Sequence, residues 1–246
     1  MKVWQLISEM NWTSRMGLLV VSVFGFCAIF APWLAPYGQS EIVGDVWEPL
    51  FGNFFFGTDQ IGRDMLSMLI YGARNMIALA LLTTGCAFGL GSLLGFLAAT
   101  MGGWVDQVLS RFVDVVISIP TLIFALIVLS STGTSIFALV TVISIIYAMP
   151  VYRIARAVAM DIEVMDYVEA ARLRGEGLWW IMRKEILPNA LTPLAAEFGL
   201  RFCFVFLLIS GLSFLGLGLQ PPLADWGAMV RDNGGGIAWG FMHPLV

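Results

Sequence analysis

Four long stretches of this chain carry no charged side chain: Met16 to Ser40, Asn75 to Val105, Val115 to Tyr152 and Phe202 to Ala224. A helix needs about 20 predominantly apolar residues to cross the hydrocarbon core of a bilayer. Inside that core only helices and closed barrels satisfy their own backbone hydrogen bonds. Runs of this length therefore predict an all-α polytopic membrane protein. The third run is too long for one helix, and its polar break at Ser130-Ser131-Thr132-Gly133-Thr134-Ser135 divides it into two helices joined by a tight turn. Five spans are expected, at about 16–35, 76–100, 112–130, 136–156 and 195–218, with a segment 1–15 ahead of a transmembrane domain 16–246. Composition agrees: 12% of residues are charged, where a soluble domain has about 25%.

Lys and Arg set the orientation, because cytoplasmic loops carry their excess. With the N-terminus cytoplasmic, one side receives Lys2, Arg15, Arg111, Arg153, Arg156, Arg172, Arg174, Arg183, Lys184 and Arg201, and the other only Arg63, Arg74 and Arg231. Residues 36–74 then form an outer loop and 157–194 a cytoplasmic one. Tryptophans near span ends (Trp33, Trp104, Trp179, Trp226 and Trp239 among them) read as interfacial anchors. The cysteines, Cys27, Cys86 and Cys203, lie inside apolar runs and read as small core hydrophobes.

Within the outer loop, Thr58 or Asp59 is placed to cap a helix, with Asp59 and Arg63 one turn apart. Gly85, Gly89, Gly91 and Gly95 let helix backbones approach closely. Arg111 with Asp114, and Glu197 with Arg201, are spaced to pair within one turn. These two pairs are read as structural or as part of a transport path. His243 is the only histidine and stands three residues from the end. No Ser/His/Asp arrangement, zinc ligand set or GxxxxGK[ST] loop occurs, so no metal, catalytic or nucleotide site is assigned to this chain. Nucleic-acid binding lacks a basic patch with interleaved aromatics.

Ten of the 30 charged side chains fall between Asp161 and Glu185. Glu163, Asp166, Glu169 and Arg172 recur every third residue, which draws a polar stripe on a helix, while Val164, Tyr167, Val168 and Ala171 lie off it and are placed to pack. Gly175 and Gly177 break that helix. A second short helix, about Leu178 to Ile186, ends at Leu187-Pro188. The residues alone leave two readings open, an ordinary cytoplasmic loop or a docking surface.

Here the residues carry a resemblance. Glu169-Ala170-Ala171, Gly175 and Ile186-Leu187-Pro188 resemble the EAA loop of ABC importer permeases. Gly57-Thr58-Asp59, Gly62-Arg63-Asp64 and Gly72-Ala73-Arg74 resemble the outer-loop GTDxxGRD…GAR segment of the C-type permeases of the dipeptide/oligopeptide/nickel subfamily. Gly102-Gly103-Trp104-Val105-Asp106, Arg111 to Asp114, Ile119-Pro120 and Ser213 to Gly218 also match that subfamily.

The resemblance implies a type I ABC importer permease in a bacterial inner membrane, carrying peptides or a related small solute such as a nickel complex or an opine. It implies a second permease subunit, most often as a heterodimer, two cytoplasmic ATPase subunits and an extracytoplasmic binding protein as partners. ATP and Mg are then bound by the ATPases, and no cofactor by this chain. Glu169, Ala170, Ala171 and Gly175 are the implied ATPase contact, and Leu187-Pro188 the return to the last span. Two features depart from the pattern. Glu185 stands where the family often has His, which puts its pairing with Lys184 or Arg183 in question. The subfamily has six spans, so a sixth is expected beyond Val246 and the chain is expected to be truncated. An ion-coupled secondary transporter would need ionisable groups near mid-membrane, and a non-transporting scaffold would need no ATPase. Those are the competing classes.

Overall fold

The computed structural model describes residues 10–238. Trp239, His243 and the region ahead of the expected sixth span lie outside them, as does most of the N-terminal segment. Among the described residues the chain is helical, with two isolated β-bridges, Ile42 with Arg63 and Thr58 with Asp64. The helices are α1 (Trp12–Leu34), α2 (Met65–Met101), α3 (Gly103–Ser118), α4 (Thr121–Thr132), α5 (Ile136–Glu163), α6 (Asp166–Leu173), α7 (Leu178–Ile181), a π-helical turn (Met182–Ile186), α8 (Leu187–Phe214) and α9 (Trp226–Ala238). Among the described residues, four continuous helical stretches are long and apolar enough to cross a membrane, and α3 with α4 makes a fifth if the bent pair is one span. The all-α polytopic architecture is therefore borne out.

Three local expectations are corrected. The third span is not one straight helix: α3 and α4 meet at 88°. Pro120 is the cause. Its ring drives the preceding residue out of the helical region, and Ile119 sits at φ −85°, ψ 128°. The helix after Gly177 does not end at Leu187-Pro188, since helix continues from Leu178 to Phe214. A proline inside an α-helix lacks the N–H for the i−4 carbonyl and clashes with it. The π turn at 182–186 widens the helix just before Pro188, and the Asn189 side chain donates to the Glu185 carbonyl at 2.6 Å. Finally, Asp114 pairs with Arg153 across α3 and α5, not with Arg111.

The chain forms two compact units, one of residues up to Ala78 with those from Ser213 onward, the other Leu79–Leu212. In the second, α2 and α5 pack backbone to backbone at two of the four glycines. A Cβ on Gly91 would lie 2.6 Å from the Ala148 carbonyl oxygen, and one on Gly95 2.8 Å from that of Tyr152. Gly85 and Gly89 face no neighbour among the described residues. Cys86 and Cys203 are exposed rather than core residues. In the first unit, α2 and α9 share an apolar core of Met65, Met68, Ala224 and Met229. Gly72 admits the Trp226 ring, whose Nε1 donates to the Leu69 carbonyl at 3.0 Å. Trp226 is thus a packing residue, while Trp33, Trp104 and Trp179 are exposed as anchors would be.

Candidate functional site

The site is the corner between α5 and α8. Helix α5 ends at Glu163, two residues turn the chain, and α6 begins at Asp166. The break interrupts the expected polar stripe, so Glu163 and Arg172 stand on different helices, yet they form an ion pair across the corner. Asp166 and Glu169 occupy the first turn of α6, where negative charge complements the helix dipole. The chain then leaves α6 through Gly175 at φ +84°. Gly175 N–H donates to the Arg172 carbonyl (2.9 Å) and Glu176 N–H to that of Ala171 (3.2 Å). This is a Schellman closure, in which a left-handed residue after the helix satisfies its last carbonyls.

Two faces of α6 differ sharply. Val168 and Ala171 are fully buried, and Val168 joins a cluster with Phe96 of α2, Ala155, Ala159 and Ile162 of α5, and Ile181, Met182, Ile186, Ala190 and Leu194 on the way into α8. Residues three apart share one helix face, and this one fixes α6 to the ends of three long helices. Burying a side chain such as Ile186 contributes about 1.5–3 kcal/mol. The opposite face exposes Tyr167, Glu169, Ala170 and Leu173, the last 82% accessible, with Val164 at 81% beside it. Val164 and Tyr167 therefore do not pack inward as their spacing predicts. Arg174 lies over the Trp180 ring at 5.7 Å. Of the implied contact residues, Glu169, Ala170 and Gly175 are exposed, whereas Ala171 is buried. Leu187 and Pro188 are exposed at the start of α8. Glu185 forms no ion pair among the described residues, with either Lys184 or Arg183.

The outer-loop motif is built the other way. Gly57, Thr58, Asp59, Gly62 and Asp64 are buried. Thr58 Oγ accepts from the Glu48 N–H (2.8 Å) and donates to the Asp45 carbonyl (2.5 Å). Asp59 accepts from the N–H groups of Ile61 (3.0 Å) and Arg63 (2.9 Å) and pairs with the Arg63 guanidinium at 2.7 Å. The residues form a turn, not a helix, so Asp59 and Arg63 meet without the helical spacing expected of them. Gly62 holds φ +85°, and a Cβ there would strike the Gly44 carbonyl oxygen at 2.2 Å. The helix cap falls to Asp64, whose carboxylate accepts from Ser67 N–H and Oγ at 2.8 and 2.6 Å.

Inside α8, Glu197 and Arg201 form the expected pair and are 12% and 18% exposed. A pair of this kind on one helix contributes about 0.2–0.5 kcal/mol, whereas a charged side chain at the centre of a span costs about 2.5–3.5 kcal/mol. The spacing marked this pair, but not its neighbours. Tyr147 of α5 donates to the Phe204 carbonyl of α8 at 3.1 Å. Arg201 and Tyr147 line a cavity of about 220 Å³ with Thr121, Phe124 and Pro150.

Residues 91–242 match the family described as binding-protein-dependent transport system inner membrane component. The chain is 37% identical to the di/tripeptide transport system permease protein DppC of Pseudomonas aeruginosa over 88% of this chain and 74% of that one. It is 35% identical to the probable D,D-dipeptide transport system permease protein DdpC of Escherichia coli K12 over 83% and 69%. A solved amino acid ABC transporter with histidines aligns with a TM-score of 0.45 at 25% identity, over 74% of this chain and 87% of that one. With apolar spans, no nucleotide-binding loop in its sequence and relatives that are permeases of transport systems, the chain belongs to the family of binding-protein-dependent transport system inner membrane components, multi-pass proteins of the inner membrane that work with other transporter subunits.

Proposed function

We propose that this chain is one of two permeases of an ATP-driven importer of peptides or a related small solute, and that α6 is the surface gripped by a cytoplasmic ATPase. The observation that carries the reading is the two-sidedness of α6. Glu169, Ala170 and Leu173 face outward, while Val168 is locked into the core formed by α2, α5 and α8 and Ala171 is fully buried beside it. A short helix fixed in this way passes a push to the spans as rigid-body motion. In this reading Ala171 holds α6 in place and does not touch the partner. Gly175 sets the exit geometry, and Leu187-Pro188 begins the return through the π turn. ATP and Mg belong to two ATPase subunits, a binding protein delivers the solute, and a second permease completes the pathway. Leaving out Arg201, which lies within α8, the split of nine basic residues to three supports a cytoplasmic N-terminus, and with it α6 on that side. The peptide class rests on what the similar permeases are named for.

The test is uptake of labelled dipeptide by proteoliposomes holding the full complex. Glu169→Lys reverses an exposed charge, and Gly175→Pro forbids φ +84° and deletes a hydrogen-bonded N–H. Both variants are expected to insert normally and to lose uptake and substrate-stimulated ATP hydrolysis. Wild-type uptake by either one overturns the role given to α6.

A further inference from the structure

Resting on the importer reading above, we propose that Arg201 is a substrate-binding residue of the translocation pathway, a subsite for the carboxylate of a passing peptide in the cavity at the α3–α4 elbow. Three helices place this cavity deep in the membrane. Helices α4 and α5 are joined by the turn at Gly133-Thr134-Ser135, and α8 runs back from the α6 corner, so the C-terminal end of α8 lies at the same end as that turn. At 1.5 Å per residue, Thr121 is about 17 Å from the end of α4, Tyr147 about 17 Å from the start of α5 and Arg201 about 20 Å from the end of α8. All three therefore lie well inside a hydrocarbon layer about 30 Å thick. The elbow at Ile119-Pro120 opens at this depth, and the cavity is bordered by Thr121, Tyr147, Pro150 and Arg201.

A charge at this depth faces the bundle interior or water and marks a pathway. The Glu197 partner does not explain it. The pair joins two turns of one helix and braces nothing between helices. Glu197 takes the Nε of Arg201, and the ring of Phe204 lies 5.8 Å from the guanidinium carbon. Neither contact engages the terminal Nη edge, which is shaped to receive a second carboxylate. Tyr147, whose hydroxyl is tied to the Phe204 carbonyl, walls the site rather than binding in it. A cavity of about 220 Å³ suits a peptide terminus and one residue, not a folded ligand.

The experiment uses the assembled transporter in proteoliposomes, with the unaltered binding protein saturated by either dialanine or dialanine amide. Arg201→Gln is expected to lower the ratio of dialanine to dialanine amide uptake by about tenfold, the scale of one lost charge-assisted hydrogen bond. The reciprocal swap Glu197→Arg with Arg201→Glu keeps an ion pair on α8 but moves the cation by one turn, and it is expected not to restore dialanine uptake. Equal loss for acid and amide, or full rescue by the swap, overturns the proposal in favour of a structural pair. If Arg201→Gln does not assemble with its partner subunits, Arg201→Lys is read instead. It keeps the charge without the fork, and is expected to narrow the acid-to-amide ratio, while an unchanged ratio overturns the subsite. Absence of ATP-dependent uptake by the wild-type complex would refute the importer reading itself, which separates the two failures.

Discussion

The loop around Glu169 and the loop around Asp59 both carry short motifs in polar segments between apolar runs, and they use those motifs in opposite ways. At Asp59 the side chains turn inward. Three donors converge on one carboxylate that is 1% exposed, and Thr58 bridges two backbone strands of the same loop. At Glu169 the backbone supplies its own closure through Gly175, which leaves the side chains of one face unengaged. A motif of the first kind specifies its own loop, and one of the second kind is available to something else. Burial and hydrogen-bond satisfaction distinguish them, not the letters of the sequence.

That contrast can be broken by substitution. Asp59→Ala is expected to cost the most, about 3–5 kcal/mol, because it leaves the partly buried Arg63 guanidinium without its counter-charge. Thermal unfolding of the purified complex reads this as a large fall in Tm, with transport lost only as protein is lost. Ala171→Leu tests the inward face of α6. It adds volume to a fully buried site and is expected to destabilise by about 1–3 kcal/mol, while an effect on uptake without a stability change would return Ala171 to the partner contact. Glu169→Lys sits at the other extreme: a change within about 0.5 kcal/mol, together with the uptake loss expected above. If Glu169→Lys unfolds the protein, the two loops are not opposites after all.

The smallest expected effect concerns Asp225 in the segment before α9. Burial raises its carboxyl above the ordinary range, against hydrogen bonds from Ala228 N–H (3.0 Å) and Ser213 Oγ (2.8 Å). A raised carboxylate binds its proton more tightly in the folded state. Its contribution is therefore present below the ordinary carboxylate range and is lost as pH rises through the folded value. This is opposite in sign to a salt-bridged acid. A pH series of Tm for wild type against Asp225→Asn should show the wild type gaining relative stability on mild acidification. A parallel pair of curves would remove the assignment.

Much of the architecture was readable from the uncharged runs, because bilayer thickness fixes how long such runs must be. The polar break at 130–135 was equally plain, and there α4 ends and Ser135 caps α5 by accepting from the Ala138 N–H. What hydropathy does not encode is angle. Pro120 and Pro188 look alike in sequence, each within an apolar run, but one turns the chain by 88° and the other is absorbed into a helix. Pro120 follows an extended residue, Ile119, and Pro188 follows a π turn, which only backbone geometry reveals. Partner choice was also hidden. Asp114 has an arginine three residues away and pairs instead with Arg153, 39 positions on. In the candidate site, three-residue spacing identified α6 and two residues of its buried face, Val168 and Ala171, but it also assigned Val164 and Tyr167 to that face. The break at Val164-Met165 separates α6 from α5 and leaves those two exposed.

The π turn has one more consequence. Successive residues on an α-helix are about 100° apart in azimuth, and a π turn accommodates one residue more than an α turn before the chain resumes its path. Met182–Ile186 therefore acts as a phase setting between the α6 corner and the membrane-embedded part of α8. Trp179 and Met182 on one side, and Leu191 and Leu194 on the other, border the same cavity. The azimuth of the membrane-embedded part of α8 relative to the α6 corner is thus set by an angular offset of a single residue, independently of which side chains α6 exposes.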